Sequence, residues 1–210
     1  MSRIFASALF SASLAVFAFC FALPAWASVF SPDAGTVDLS AALDFEGYVK
    51  TGADDHVKAM RERFGSYAAS KFFEDEAKKI GTPVTLLMIG MMYCPDCKTA
   101  APFMEAMARL NPLVTTRYIV RNDAPGAREF MIARTGRQNM PSIFVLRDDG
   151  KVLDGAYVET PSRVSAMLES ADEGERDAIW DDFHSGAYDE DVQRDLIALV
   201  KNAVKEKGEK

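Results

Sequence analysis

The chain is poor in cysteine and histidine, with three and two residues among 210. Three cysteines are too few to staple a small disulfide-held domain; they suffice for one redox pair and one left over. Basic residues are outnumbered, 24 against 31 acids, for a net charge of −7. That balance argues against a nucleic-acid binder, because neutralising phosphates needs a surplus of Lys and Arg. No internal repeat is present, which excludes a solenoid, and no glycine-rich phosphate loop appears. What remains is ordinary globular composition, 49% hydrophobic and 26% charged, which excludes collagenous and disordered chains. The length allows one domain, or a small domain with additions.

Charge is also missing from the start. After Arg3 no charged residue occurs before Asp33. An apolar stretch runs over residues 4–23, interrupted only by Ser7, Ser11 and Ser13, and leads to Leu23-Pro24-Ala25-Trp26-Ala27. A short positive start, an apolar middle and a small-x-small exit predict a secretory signal peptide over 1–27, cleaved after Ala27. An uncleaved anchor is the alternative, since the stretch is nearly long enough to span a bilayer. Phe17-Ala18-Phe19 before Cys20 does not fit a lipidation signal, so Cys20 leaves with the signal. The expectation is a periplasmic or secreted protein whose only cysteines are Cys94 and Cys97, in an oxidising compartment.

The remainder divides into a lead-in with helices over 28–82, a core over 83–170 and a charged helical extension over 171–210. Residues 54–79 show helical spacing of apolar residues, with a break expected near Gly65. The run Val84-Thr85-Leu86-Leu87-Met88-Ile89 reads as a strand buried on both faces. A helix follows over 94–110, a strand over 114–120, and a helix over 124–135 closed by Gly136. Residues 142–146 form a strand, Asp148-Asp149-Gly150 a turn, and 151–157 its antiparallel return. A helix over 161–171 has Thr160 as its expected cap and Pro161 at its first position. This order predicts an α/β fold with a mixed central sheet flanked by helices, and extra helices at both ends.

Cys94-Pro95-Asp96-Cys97 falls where a strand gives way to a helix, the setting of a redox-active pair. A helix N-terminus offers unpaired N–H groups and a positive dipole end, both of which favour a thiolate at Cys94. The thiolate is the nucleophile. Two intervening residues bring the sulfurs within bridging reach. Cys94 would attack and Cys97 would resolve the mixed disulfide. Pro95 suits the first turn. Asp96 acts both ways: it repels a thiolate and stabilises the first turn, with Lys98 placed to screen it. Zinc would need two further ligands, and His56 and His184 are both remote in sequence. Pro141 stands just before a strand, an awkward place for a trans proline. A cis Met140–Pro141 bond opposite Cys94 would leave the Met140 backbone free to pair with an extended substrate peptide.

Tyr93-Cys94-Pro95-Asp96-Cys97-Lys98 resembles the aromatic-Cys-x-x-Cys-Lys site of thioredoxin-fold proteins. Asn139-Met140-Pro141-Ser142 resembles their cis-proline loop, and Asp149-Gly150-Lys151 the hairpin that follows. The match spans roughly 83–170. The tail around Phe183, Gly186 and Tyr188-Asp189-Glu190 is similar to the extension of a bacterial subgroup. The resemblance implies thiol–disulfide oxidoreductase activity on protein thiols or disulfides, without a cofactor, in a monomer. It leans to reductase, which outside the cytoplasm needs a membrane electron-transfer partner. Two positions differ from the family pattern: Met88 stands where a buried aspartate is usual, and Tyr93 where tryptophan is.

Two other readings are weighed. Met88, Met91, Met92, Met104, Met107, Met131 and Met140 surround the pair in sequence, and thioether with thiolate suits Cu(I); methionines also fill cores and line adaptable binding surfaces. A disulfide-locked interaction module is the third. The acids from Asp172 to Asp191 lack calcium-loop spacing and read as a solvated face. His184-Ser185 reads as an accidental neighbour pair.

Overall fold

The protein is described by a computed structural model over residues 29–205. The expected signal peptide and Cys20 lie outside these residues, as do 206–210.

The sheet has four strands in the order β2-β1-β3-β4. β1 (Val84–Gly90) is central, and every one of its residues is buried. It runs parallel to β2 (Val114–Val120) and antiparallel to β3 (Ser142–Leu146). β4 (Tyr157–Val158) closes the edge against β3. The alternation of side chains along a strand explains why β1 reads as a continuous apolar run. Val84, Leu86 and Met88 enter one core layer, while Leu87 and Ile89 enter the other.

The larger layer lies under the helices of both ends. It holds α1 (Phe45–Val49), α2 (Asp54–Ser66), α3 (Lys71–Ala77) and α4 (Pro95–Leu110). α6 (Ser162–Ser170), α7 (Glu173–Ser185) and α8 (Asp189–Lys205) complete it. α5 (Ala127–Thr135) covers the other face together with the lead-in, through Phe130, Met131, Phe30 and Val37. The two terminal additions also hold each other. Arg63 of α2 pairs with Asp189 of α8. Gln193 accepts from the Ser70 N–H at 2.8 Å and donates to the Ala68 carbonyl at 3.0 Å. Lys201 meets Glu76 at 2.6 Å.

Four sequence expectations are corrected. The break after α2 comes at 67–70, where Tyr67 is extended and Ser70 caps α3 by accepting the Phe73 N–H. The strand expected over 151–157 is reduced to a Leu146–Val152 bridge and the two residues of β4. The lead-in pairs with the other side of that segment: Val152 donates to Gly35, Val37 donates to Gly150 and Thr36 bridges Lys151, while Leu153 still donates to Val145 and Arg147 to Lys151. A bend with Gly155 at φ 87° then separates it from β4. Pro161 is the N-cap of α6, not its first residue, and Thr160 turns its hydroxyl to Ser165. The cap comes instead from α8, where the Asp195 carboxylate accepts from the Ser162 N–H and hydroxyl. α5 begins at Ala127, three residues later than expected, after Gly126 at φ 84°.

Asn111 ends α4 and ties it to the end of α3. It is buried, its amide donates to the Ala77 and Ile80 carbonyls at 2.8 Å each, and its carbonyl accepts the Leu113 N–H at 2.9 Å. A buried polar group left without its partner costs about 1–3 kcal/mol. Asn111→Ala should therefore lose about 3 kcal/mol, read as a lower denaturant midpoint at unchanged slope. A loss within experimental error would show that water replaces all three bonds.

Candidate active site

β1 ends at Gly90 and the chain turns through 91–93 into α4. Cys94 is the N-cap of that helix and Pro95 its first residue. Proline fits there because the first N–H groups of a helix have no internal acceptor. Both cysteines are free, and Cys97 is fully buried. Cys94 is 6% exposed and lines an open cleft of about 370 Å³ with Asp96, Arg121, Arg128, Gln138, Asn139, Met140 and Glu159. Tyr93 and Pro95 are exposed beside it. A larger hollow of about 550 Å³ lies between β4, α6 and α8 and is lined by no cysteine.

The cleft's far wall is the loop before β3. The Met140–Pro141 peptide is cis, and the Met140 carbonyl lies 3.6 Å from Cys94 Sγ. Pro141 is buried and Met140 partly so. Ser142 Oγ donates to the Asn139 carbonyl at 2.9 Å, and the Asn139 amide donates to Glu159 at 2.8 Å.

The two thiols are unequal. Cys94 is held below the ordinary thiol value, first by the Cys97 thiol donating toward its sulfur, then by the Cys97 and Asp96 backbone N–H groups. Burial and the Asp96 carboxylate oppose this. Cys97 is pushed well above the ordinary value, chiefly by burial and further by Cys94. The sulfur that lines the cleft is thus the one that ionises first.

Two groups that sequence reasoning missed reach this pair from the terminal additions. From α1, the fully buried Tyr48 stacks on Tyr118 with ring centres 5.0 Å apart. Among the described residues its hydroxyl has no hydrogen-bond partner, and it shares the space over Gly90 with Cys97 Sγ. A Cβ on Gly90 would lie 2.6 Å from that sulfur and 3.3 Å from the hydroxyl. Burial first, then the nearby cysteines, raise the Tyr48 hydroxyl far above the ordinary phenol value. It therefore keeps its proton and can donate it in a hydrogen bond. Met88, where a buried carboxylate would complete the family pattern, is wholly enclosed among apolar neighbours.

From α7, His184 Nε2 lies 2.6 Å from Asp96 Oδ1. Among the described residues no ion pair joins Lys98 to Asp96; the side chain in contact with this carboxylate is His184. The separation of 88 positions between His184 and Asp96 leaves no local signal of the contact. Within the acidic span of the extension, Glu173, Asp177 and Asp181 are exposed.

Met88, Met104, Met107 and Met131 are fully buried in the two core layers, and Met92 nearly so. They fill core space, the role adaptable thioethers suit. Among the described residues no cluster of three or more His, Cys, Asp or Glu could hold a metal ion. No helix among them is long and apolar enough to cross a membrane.

A family model described as thioredoxin matches residues 42–173. A protein of unknown function from Pseudomonas aeruginosa, known from a crystal structure, has a similar fold. Its TM-score is 0.63 at 23% identity, over 79% of this chain and 95% of that one. An HIV epitope-scaffold crystal structure matches with a TM-score of 0.64 at 20% identity, over 79% of this chain and 96% of that one. No curated protein matches the chain.

Proposed function

Because the chain belongs to the thioredoxin family, we propose that it is a thiol–disulfide oxidoreductase acting on protein substrates through Cys94 and Cys97. The observation that carries this reading is the asymmetry of the pair. An acidified sulfur lines an open cleft, and a buried thiol stands directly behind it.

The chemistry follows from the geometry. The Cys94 thiolate attacks one sulfur of a substrate disulfide, forming a mixed disulfide. The other substrate sulfur leaves as a thiolate and takes a proton from water. Cys97 then gives up its proton to water, because Met88 offers no buried carboxylate to accept it, and the Tyr48 O–H donates to the new thiolate. That thiolate attacks Cys94 Sγ, the Cys94–Cys97 disulfide forms, and the second substrate thiolate departs. Two electrons pass from the dithiol to the substrate disulfide, and the reverse sequence oxidises a substrate dithiol. An extended substrate segment pairs with the Met140 backbone beside Cys94, as an added strand.

In this reading the protein works outside the cytoplasm as a monomer. It leans to reductase and is recharged by a membrane electron-transfer partner. The support for export is the sequence pattern of residues 1–27, and for direction the likeness to thioredoxin-type sites.

The test is a dithiothreitol redox series, with alkylation of free thiols and mass measurement, beside an insulin-reduction assay. The expected result is one cooperative two-thiol transition at a catalytic potential, together with turnover. A potential below about −300 mV, typical of inert structural disulfides, without turnover would favour the locked interaction module.

A further inference from the structure

The exchange motif carries a feature that works against its own chemistry. Asp96 is buried at 8% exposure, and its Oδ2 lies 3.9 Å from Cys94 Sγ. A carboxylate so close and so poorly solvated repels a thiolate. It also gives the protonated Cys94 an acceptor for its S–H, which favours the thiol further. A group that takes up the Asp96 charge therefore favours the ionised sulfur further.

The C-terminal extension supplies a partner for it. α7 closes over the start of α4, and His184 Nε2 contacts the second carboxylate oxygen, Oδ1. The imidazole is held in place: its ring stacks on Trp180 with centres 5.6 Å apart at 21°, and lies 5.5 Å from Phe183. The His184 side chain is 32% exposed and the carboxylate it holds 12%. Arg121, Arg128 and Glu159 also line this cleft, and the Tyr157 hydroxyl lies within the electrostatic reach of Asp96. Among the described residues none of these is hydrogen-bonded to Asp96.

We propose that His184 is a positioning residue of the exchange site: it holds the Asp96 carboxylate and takes up its charge, and so frees Cys94 to act as the nucleophile. The extension is then part of the reactive centre. This inference rests on the exchange reading, but its test does not require turnover.

The test is the pH profile of Cys94 alkylation by iodoacetamide, followed by mass, in four full-length proteins. These are the parent, His184→Ala, Asp96→Asn and the double variant. Cys97 stays protonated over the range because burial holds its value high. His184→Ala should move the Cys94 midpoint up by about one pH unit, a tenfold loss of thiolate below it. Asp96→Asn should move it down. In the Asp96→Asn background, removing His184 should shift the midpoint little. His184→Gln can keep a hydrogen-bond donor to Asp96 and should recover part of the parent midpoint; no recovery at all would show that the ring acts by packing alone and overturns the proposal. An unchanged midpoint in His184→Ala, or an equal shift with and without Asp96, overturns the proposal. If the shifts appear and no disulfide is turned over, the His184 role stands and the exchange reading falls.

Discussion

Cys97→Ser should stop exchange halfway, accumulating a mixed disulfide between Cys94 and the substrate, while Cys94→Ser should reduce activity to the uncatalysed background. The asymmetry comes from position. Cys94 is the N-cap of α4, where the Cys97 and Asp96 backbone N–H groups face its sulfur, and it lines the cleft beside the Met140 carbonyl. Cys97 lies one turn deeper, with no exposure. An incoming disulfide can reach only the first of these sulfurs. Once the mixed disulfide has formed, the second sulfur is its nearest nucleophile, and a serine there cannot complete the transfer. Non-reducing electrophoresis with a disulfide-containing substrate reads the adduct directly. An adduct that persists in Cys94→Ser and vanishes in Cys97→Ser would reverse the two roles.

Gly90→Ala should cost about 2–3 kcal/mol of stability, the scale of overpacking a filled core, and should slow resolution as well. Gly90 ends β1, paired with Val120, and its carbonyl accepts the Arg121 N–H. An added methyl would stand 2.6 Å from Cys97 Sγ, closer than carbon and sulfur approach without bonding. The sulfur sits on the first turns of a buried helix and the strand is enclosed on both faces. Relief requires moving the helix start or tilting the cysteine off Tyr48. Thermal unfolding of the reduced protein reads the first effect. Decay of a pre-formed Cys94 adduct reads the second. Parent-like values in both would mean that the first turn of α4 shifts freely.

The parts legible in the sequence are those whose signal is local. β1 announces itself because both of its faces are buried, so no polar alternation interrupts the run from Val84 to Ile89. The position of Cys94 at a helix start follows from that strand, the short turn and Pro95. The fold class follows from the order of such segments. What escaped was set by partners distant in sequence or by a single backbone turn. The return segment after Gly150 pairs with β3 on one side and with residues 35–37 on the other, and is then interrupted at a bend where Gly155 takes φ 87°. Thr160 has the chemistry of a cap, yet Asp195, 33 residues beyond Ser162, provides it. Tyr48 belongs to a helix of five residues, too short to show a period. His184 looked incidental because its partner is on another element.

The ties between the two ends of the chain have a further reach. Arg63 with Asp189, Gln193 across Ala68 and Ser70, and Lys201 with Glu76 join α2 and α3 to α8. One end lends Tyr48 to the inner thiol, and the other lends His184 to the carboxylate beside the outer one. Neither appendage is therefore free to be lost or redrawn by itself in the course of descent. An insertion or deletion at one terminus would be felt at the opposite one, and through it at the sulfurs, so the three segments are bound to change in concert.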